Sequence, residues 1–269
     1  MIDKTAIIHP TAQIAEDAII GPYVVIGENV KIGSKTRVIA NAFIEHATIG
    51  ERCTISPFAT IGSEPQDLGY KGEPTCVVIG DDTIIKENVT VHRGAACGDN
   101  TTRVGNKCLL MAGSHVAHNC VLEDQVILAN LATLGGHVHV GFGAFVGGMS
   151  VFHQNIRIGD MAIISGFSAS RQDILPFTKC DGRPAVPKGL NVIAMKRRGV
   201  PLEVRTATNR AFKLLMSPEY NTTQAIAKIR EELEMNEYIE KMIEFVETSK
   251  RGVVLKSHKK DALEGGMDD

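Results

Sequence analysis

From Val104 to Val146 the chain reads VGNKCLLMAGSHVAHNCVLEDQVILANLATLGGHVHVGFGAFV, and an aliphatic residue returns at every sixth position: Val104, Leu110, Val116, Leu122, Leu128, Leu134, Val140 and Val146. The same step continues through Phe152, Ile158 and Ile164 and misses an apolar residue only at Ser170. Toward the N-terminus it holds at Ile8, Ile14, Ile20, Ile26, Ile32, Val38 and Ile44, slips by one, and resumes at Ile49, Ile55 and Ile61, then at Ile79, Ile85 and Val91. A helix would repeat at 3.6 residues and a half-buried strand at two, so neither explains six. A hexapeptide β-helix does, with three hexads closing one triangular coil. Neighbouring coils lie about 4.8 Å apart, so about eight coils make a prism roughly 40 Å long. Four positions after the lead aliphatic comes a small or β-branched residue, as at Ala18, Val24, Val30, Ala42, Cys53, Ala59, Cys108, Cys120, Ala132 and Ala144, which keeps a second inward slot narrow.

The composition of the 269 residues suits such a core, because 43% are hydrophobic but only 5% aromatic and none is Trp. A net charge of -2, from 29 Lys and Arg against 31 Asp and Glu, argues against a nucleic-acid-binding surface. No apolar run approaches the ~20 residues that span a bilayer, and no apolar leader follows Met1. A cytoplasmic protein is expected. The six cysteines contain no Cys-x-x-Cys pair and read as reduced thiols, with Cys53, Cys108 and Cys120 filling the narrow slot.

Two segments leave the repeat, 63–78 (SEPQDLGYKGEPTCVV) and 92–103, and both are polar and glycine-rich, as expected of loops that project from a rigid scaffold. The period stops after Ser170, and Pro176, Pro184 and Pro187 mark a connecting passage. These signals predict a parallel β-helix over 1–186, a helical domain over 187–250 and a mobile tail over 251–269. Within the second part, apolar residues at spacings of three and four (Ala211, Leu214, Leu215, then Ile226, Ile229, Leu233, Ile239, Ile243) predict helices from about Pro201 to Ser249, broken at Ser217-Pro218.

Coil arithmetic turns the histidines into a site. One coil of 18 residues beyond His118 stands Gly136, and a second coil on stands Gln154; His137 and His153 fall one position either side of that column, and His115 lies three residues before His118. A single surface histidine is ordinarily a solvated residue. Four along one edge, with a glycine above the central one, read instead as a base, an approach lane and polar contacts for a substrate. His9, His46 and His258 read as structural or solvated.

The block His115 to Cys120 (HVAHNC), Gln66-Asp67-Leu68, the run Gly72 to Thr75, Val91-His92-Arg93-Gly94, Gly148-Met149 with His153-Gln154, and Gly189 to Gly199 (GLNVIAMKRRG) resemble the UDP-N-acetylglucosamine acyltransferases, over Met1 to about Met216. The resemblance implies that the β-helix is left-handed and that the protein is a homotrimer with sites between subunits. It also implies transfer of a 3-hydroxyacyl chain from acyl carrier protein to the 3-hydroxyl of UDP-N-acetylglucosamine, the first step of lipid A synthesis. No metal and no cofactor are implied beyond the 4'-phosphopantetheine that the carrier brings.

By the same resemblance His118 is the general base and the Gly136 N–H meets the oxyanion. Asp67 holds the sugar, His115, His137 and Gln154 line the groove, and His153 lies near the nucleotide or the carrier arm. Asn191, Arg197 and Arg198 contact phosphates or phosphopantetheine from a neighbouring subunit. Gly166, with no side chain to shorten the acyl slot, implies a longer chain.

Two positions depart from the family: Asn119 stands where Asp is common after the base, and Gly69 where Lys is common, with Lys71 two residues on. They leave open acylation of a 3-amino sugar nucleotide. The rival readings are coenzyme A-dependent acetyl transfer to an amino sugar, a zinc lyase with three shared histidines, and a non-catalytic solenoid, for which regular outward Thr arrays are missing.

Overall fold

The computed structural model describes residues 1–96 and 98–255. Two-residue strands recur along the chain, ending on the lead residue of each hexad, as in Leu109–Leu110, His115–Val116 and Val121–Leu122. As far as Ala169–Ser170 every third strand falls in the same sheet, and with the closing hairpin the three sheets have nine, eight and ten strands among the described residues. Pairing between coils is parallel, with a step of 18 wherever the hexads run uninterrupted, as in His115↔Thr133 and Thr133↔Val151. The expected three-sided prism is therefore present.

Each coil turns at three corners, and the corner residue takes the left-handed conformation, as at Asn119 (φ 57°), Gln125 (φ 61°), Leu131 (φ 61°) and His137 (φ 59°). Asn tolerates that region better than most residues, and Asn29, Asn41, Asn88, Asn100, Asn119 and Asn155 all sit there. Inside, the lead aliphatics and the narrow slot form one continuous core from Ala18 to Cys180, in which Ile55, Leu110, Leu128 and Ile164 are fully buried. Cys53, Cys108 and Cys120 belong to it, and the five described cysteines are free thiols. Burial pushes the Cys120 thiol up to about 12 and that of Cys108 to about 11, so these are inert fillers.

Three boundaries move from those expected. Strand Cys76–Ile79 takes the end of the first loop, because Val77 pairs with Ala47 and Cys76 with Thr101. The second loop likewise gives way to strand Thr101–Val104. The passage after the last hexad is a hairpin, Thr178–Asp181 against Val186–Leu190, so the boundary expected at 186/187 falls inside a strand. Helices then follow: α1 (Val192–Arg197), α2 (Leu202–Met216), α3 (Thr222–Glu232) and α4 (Glu237–Glu247). Helix α2 stops at Ser217-Pro218 as expected, and Asn221 starts α3 through a capping box with Gln224. The helices bury Ala211, Leu215, Ile226, Ile229, Ile239 and Met242 in a second core. Helix α1, which is only six residues long, was not expected.

After α4 the chain returns across the end of the prism. Val253 pairs with Asp173, and Val254 is buried in the prism core. The part of the expected tail beyond Leu255 lies outside the described residues, as does His258. Asp173, with its side chain 2% exposed, accepts from Arg157 Nε at 3.0 Å and from Ser249 Oγ at 2.8 Å. Arg157 also donates to Phe245 O and Thr248 Oγ1, so one guanidinium joins prism, α4 and the returning segment. Replacing it leaves a buried carboxylate without its cation, and Arg157→Ala is expected to lower unfolding free energy by about 3 kcal/mol. Urea denaturation checks this; a loss well under about 1 kcal/mol would contradict it.

Candidate functional site

The corner carrying Asn119, His137 and Asn155 is laid down by the coil step: His137 N donates to His118 O at 3.0 Å, and Asn155 N to Gly136 O at 2.9 Å. His118 and Gly136 are consequently stacked neighbours. A Cβ added at Gly136 would come within 2.5 Å of His118 Nε2, so the space the imidazole occupies exists because residue 136 has no side chain. The Gly136 N–H makes no hydrogen bond among the described residues.

The tautomer of His118 follows from its neighbour. Asn119 Oδ1 accepts from Ala95 N at 2.8 Å while its Nδ2 donates to Ala95 O at 3.1 Å. That pairing fixes which end of the amide is oxygen, because a flipped amide would set donor against donor. Asn119 Oδ1 lies 2.9 Å from His118 Nδ1, so Nδ1 donates and carries the ring proton. Nε2 is left with a free lone pair beside Gly136. Asn119 also ties the 92–103 loop to the corner, since Ala95 lies in that loop.

Three more imidazoles surround this one. The His137 ring stands edge-on to His118 at 5.2 Å between centroids, and His115 stands edge-on to His92 at 5.0 Å. His115 Nδ1 is 2.7 Å from Thr90 Oγ1. Burial, helped by His115 and His118, pushes the buried His92 down to about 4. Burial and then His118 lower His115, and the same two causes lower His137, against which the Asp67 carboxylate acts. These three rings are therefore neutral at physiological pH.

Both loops close over the site. Arg93, almost wholly buried, donates from Nη1 to Glu45 Oε1 at 3.0 Å and to Gly62 O at 2.9 Å, and from Nε to the Tyr70 hydroxyl at 3.2 Å. This holds the 63–75 loop against the prism, and Asp67 turns that loop by accepting from Gly69 N at 2.8 Å. Asp67, Gly69, Tyr70, Ala95 and Ala96 line a cleft of about 290 Å³. Ala95 joins this cleft to Asn119 and hence to His118.

A family profile described as Udp N-acetylglucosamine O-acyltransferase, domain 2, matches residues 173–254, and one described as the GMPPB C-terminal domain matches 2–93. A curated relative from Thermodesulfovibrio yellowstonii, named acyl-(acyl-carrier-protein)–UDP-N-acetylglucosamine O-acyltransferase, is 47% identical over 253 residues, covering 94% of this chain and 98% of the relative. The chain belongs to the UDP-N-acetylglucosamine O-acyltransferase family. Among solved members, LpxA from Acinetobacter baumannii superposes with a TM-score of 0.91 at 36% identity, covering 94% of this chain and 99% of the other. The enzyme from Francisella novicida gives 0.91 at 32% identity over the whole of both chains. The prism is thus the left-handed β-helix of that family.

This acyltransferase places the remaining expected residues unevenly. His153 and Gln154 lie along the same edge, about 10 Å above His118 at two strand spacings, and His153 borders a cleft of about 590 Å³ with Val151, Phe152 and Ala169. Gly166 is exposed, over the Gly148 carbonyl. Three residues do not reach His118 within one chain. Asn191 is buried and uses its amide to cap α1 and to donate to Met161 O at 2.8 Å. Arg197 is exposed at the end of α1, while Arg198 lies over the Phe142 ring and donates to Gln125 Oε1, at another corner of the prism.

The sequence reading missed His92 as a site residue. The 92–103 insertion makes the step from Thr90 to its partner His115 25 residues instead of 18, so counting by 18 passes it over. Asn119→Asp tests the reading of the corner. A carboxylate would stabilise the protonated imidazole but could not donate to Ala95 O. The acid limb of the pH–kcat/KM profile is expected to move to higher pH, and amide exchange around Ala95 to quicken. An unmoved profile would deny the 118–119 contact its role.

Proposed function

We infer that this protein transfers a 3-hydroxyacyl chain from acyl carrier protein to the 3-hydroxyl of UDP-N-acetylglucosamine, the first acylation of lipid A synthesis. The observation that carries the chemistry is His118: Nδ1 is committed to Asn119, and the unprotonated Nε2 faces a residue with no side chain. Nε2 takes the proton of the sugar hydroxyl as that oxygen attacks the thioester carbonyl carbon. The negative charge gathering on the carbonyl oxygen is met by the Gly136 N–H. When the C–S bond breaks, His118 returns its proton to the departing sulfur, leaving an O-acyl sugar nucleotide, free carrier thiol and unchanged enzyme. The chain's own groups supply each proton movement, and the phosphopantetheine thioester belongs to the donor substrate.

Asp67 in its cleft beside Ala95 is suited to hold the sugar, with His115, His137 and Gln154 along the groove. The homotrimer has a physical motive. Tyr23, Phe58, Leu131, Met149 and Phe167 share one corner, are well exposed, and adopt left-handed backbone, which is costly for large side chains. An exposed apolar ridge of this kind marks an association surface. A head-to-tail ring of three would set it near a neighbour's histidine edge and would bring Asn191, Arg197 and Arg198 of one copy toward another. Among the described residues no helix is long and apolar enough to cross a membrane, and the free thiols suit a cytoplasmic setting.

Incubation with UDP-N-acetylglucosamine and 3-hydroxyacyl carrier protein is expected to yield the O-acyl product; a parallel incubation with the 3-amino analogue or with acetyl-coenzyme A tests the rivals. His118→Ala is expected to lose about 10²-fold or more in kcat, and near-normal turnover would remove it from the mechanism. For chain length, Gly166→Met should turn preference in a competition assay toward shorter acyl carriers, while the parent favours longer ones. A parent that selects the shortest chain would contradict the assignment of Gly166.

A further inference from the structure

The segment after α4 does more than cover the end of the prism. Asp173 N donates to Gly252 O at 2.8 Å, Val254 N donates to Asp173 O at 3.0 Å, and Gly252 takes φ 71° to make the bend. With Val254 in the core on one side and Ser249 on Asp173 on the other, Arg251 has little freedom in where it emerges. It emerges at the histidine edge, with Nη2 3.1 Å from His153 Nδ1.

That nitrogen has a second neighbour, the Gln154 carbonyl oxygen at 3.2 Å. A guanidinium only donates and a carbonyl only accepts, so Nδ1 can satisfy one of them but not both. Bonded to Arg251 it must present its lone pair, and the ring hydrogen then sits on Nε2. Bonded to Gln154 it carries the hydrogen itself, and Nε2 becomes an acceptor. Arg251 therefore selects whether His153 offers the groove a donor or an acceptor.

The cleft beside His153 indicates what it meets. Most of its exposed lining is apolar, from Val151, Phe152, Ala169 and Pro184, and Ser170, Gln172, Arg171 and Arg183 also line it. An extended aliphatic arm with amide carbonyls and a terminal phosphodiester fits both the walls and the guanidinium groups. We propose that Arg251 is a positioning residue for the acyl donor: it holds His153 as the Nε2–H tautomer, so that His153 donates a hydrogen bond to a carbonyl of the donor's arm lying in this cleft. The proposal rests on the acyl-transfer reading above, and Arg251 acts through His153 rather than on the reacting atoms.

Nitrogen NMR of histidine-labelled protein reads the first half without any turnover. In the parent His153 should show an unprotonated Nδ1, and in Arg251→Ala the proton should shift to Nδ1. Steady-state kinetics read the second half. Arg251→Ala is expected to raise KM for acylated carrier protein about tenfold and to leave KM for the sugar nucleotide within about twofold, with Arg251→Lys restoring most of the loss. The double variant with His153→Ala should be no worse than His153→Ala alone, as befits residues acting through one contact. A protonated Nδ1 in the parent, fully additive losses, or an effect falling on the sugar nucleotide would each overturn the proposal. Thermal unfolding of Arg251→Ala within a few degrees of the parent shows the segment still docked. Absence of acyl transfer in the parent would refute the function, while the tautomer measurement would still decide the Arg251–His153 contact.

Discussion

Every coil of this prism is hydrogen-bonded to the coil above it through parallel backbone ladders, so a side chain finds its neighbours at one strand spacing rather than along the sequence. His118 meets Gly136 in this way and His137 crosses its edge, although the intervening residues fold round two other faces. Strands of two residues have almost no stability singly. Their stacking over a continuous aliphatic core supplies it, and the groove is held in place by the part of the molecule that is hardest to deform.

The site's electrostatics grow from the same arrangement. Burial drives His92, His115 and His137 toward the neutral form, and the like charge of a neighbouring imidazole adds to the penalty. Among them stands His118, whose Nδ1–H donates to the Asn119 amide oxygen and whose Nε2 faces Gly136. Asn119 accepts this bond without bringing a negative charge into the corner. Its amide can also grip both ends of the Ala95 peptide unit, which a carboxylate cannot do.

The hexad pattern made the prism, its core and the stacking of His118 under Gly136 legible from sequence, because side-chain period is a direct consequence of coil geometry. Legibility failed where that period was interrupted. Strand Cys76–Ile79 and the partnership of His92 with His115 both lie across insertions, and the hairpin ending at Leu190 is paired antiparallel and carries no hexad signal. Helix α1 is too short for a helical period to show, and depends on the buried Asn191 cap. The coupling of Arg251 to His153 spans 98 residues and arises from how the last segment docks, which no local pattern encodes.

The way the two loops leave and rejoin the prism has a consequence for how such a protein can change. Thr60 pairs with Thr90 and Thr90 with His115, at sequence steps of 30 and 25, yet the strands on either side stay in the same lateral alignment as elsewhere. A corner can thus absorb extra chain of differing length without displacing any stacked column. New acceptors could be accommodated by exchanging what hangs from those corners, while the stacked histidine column beneath keeps its alignment.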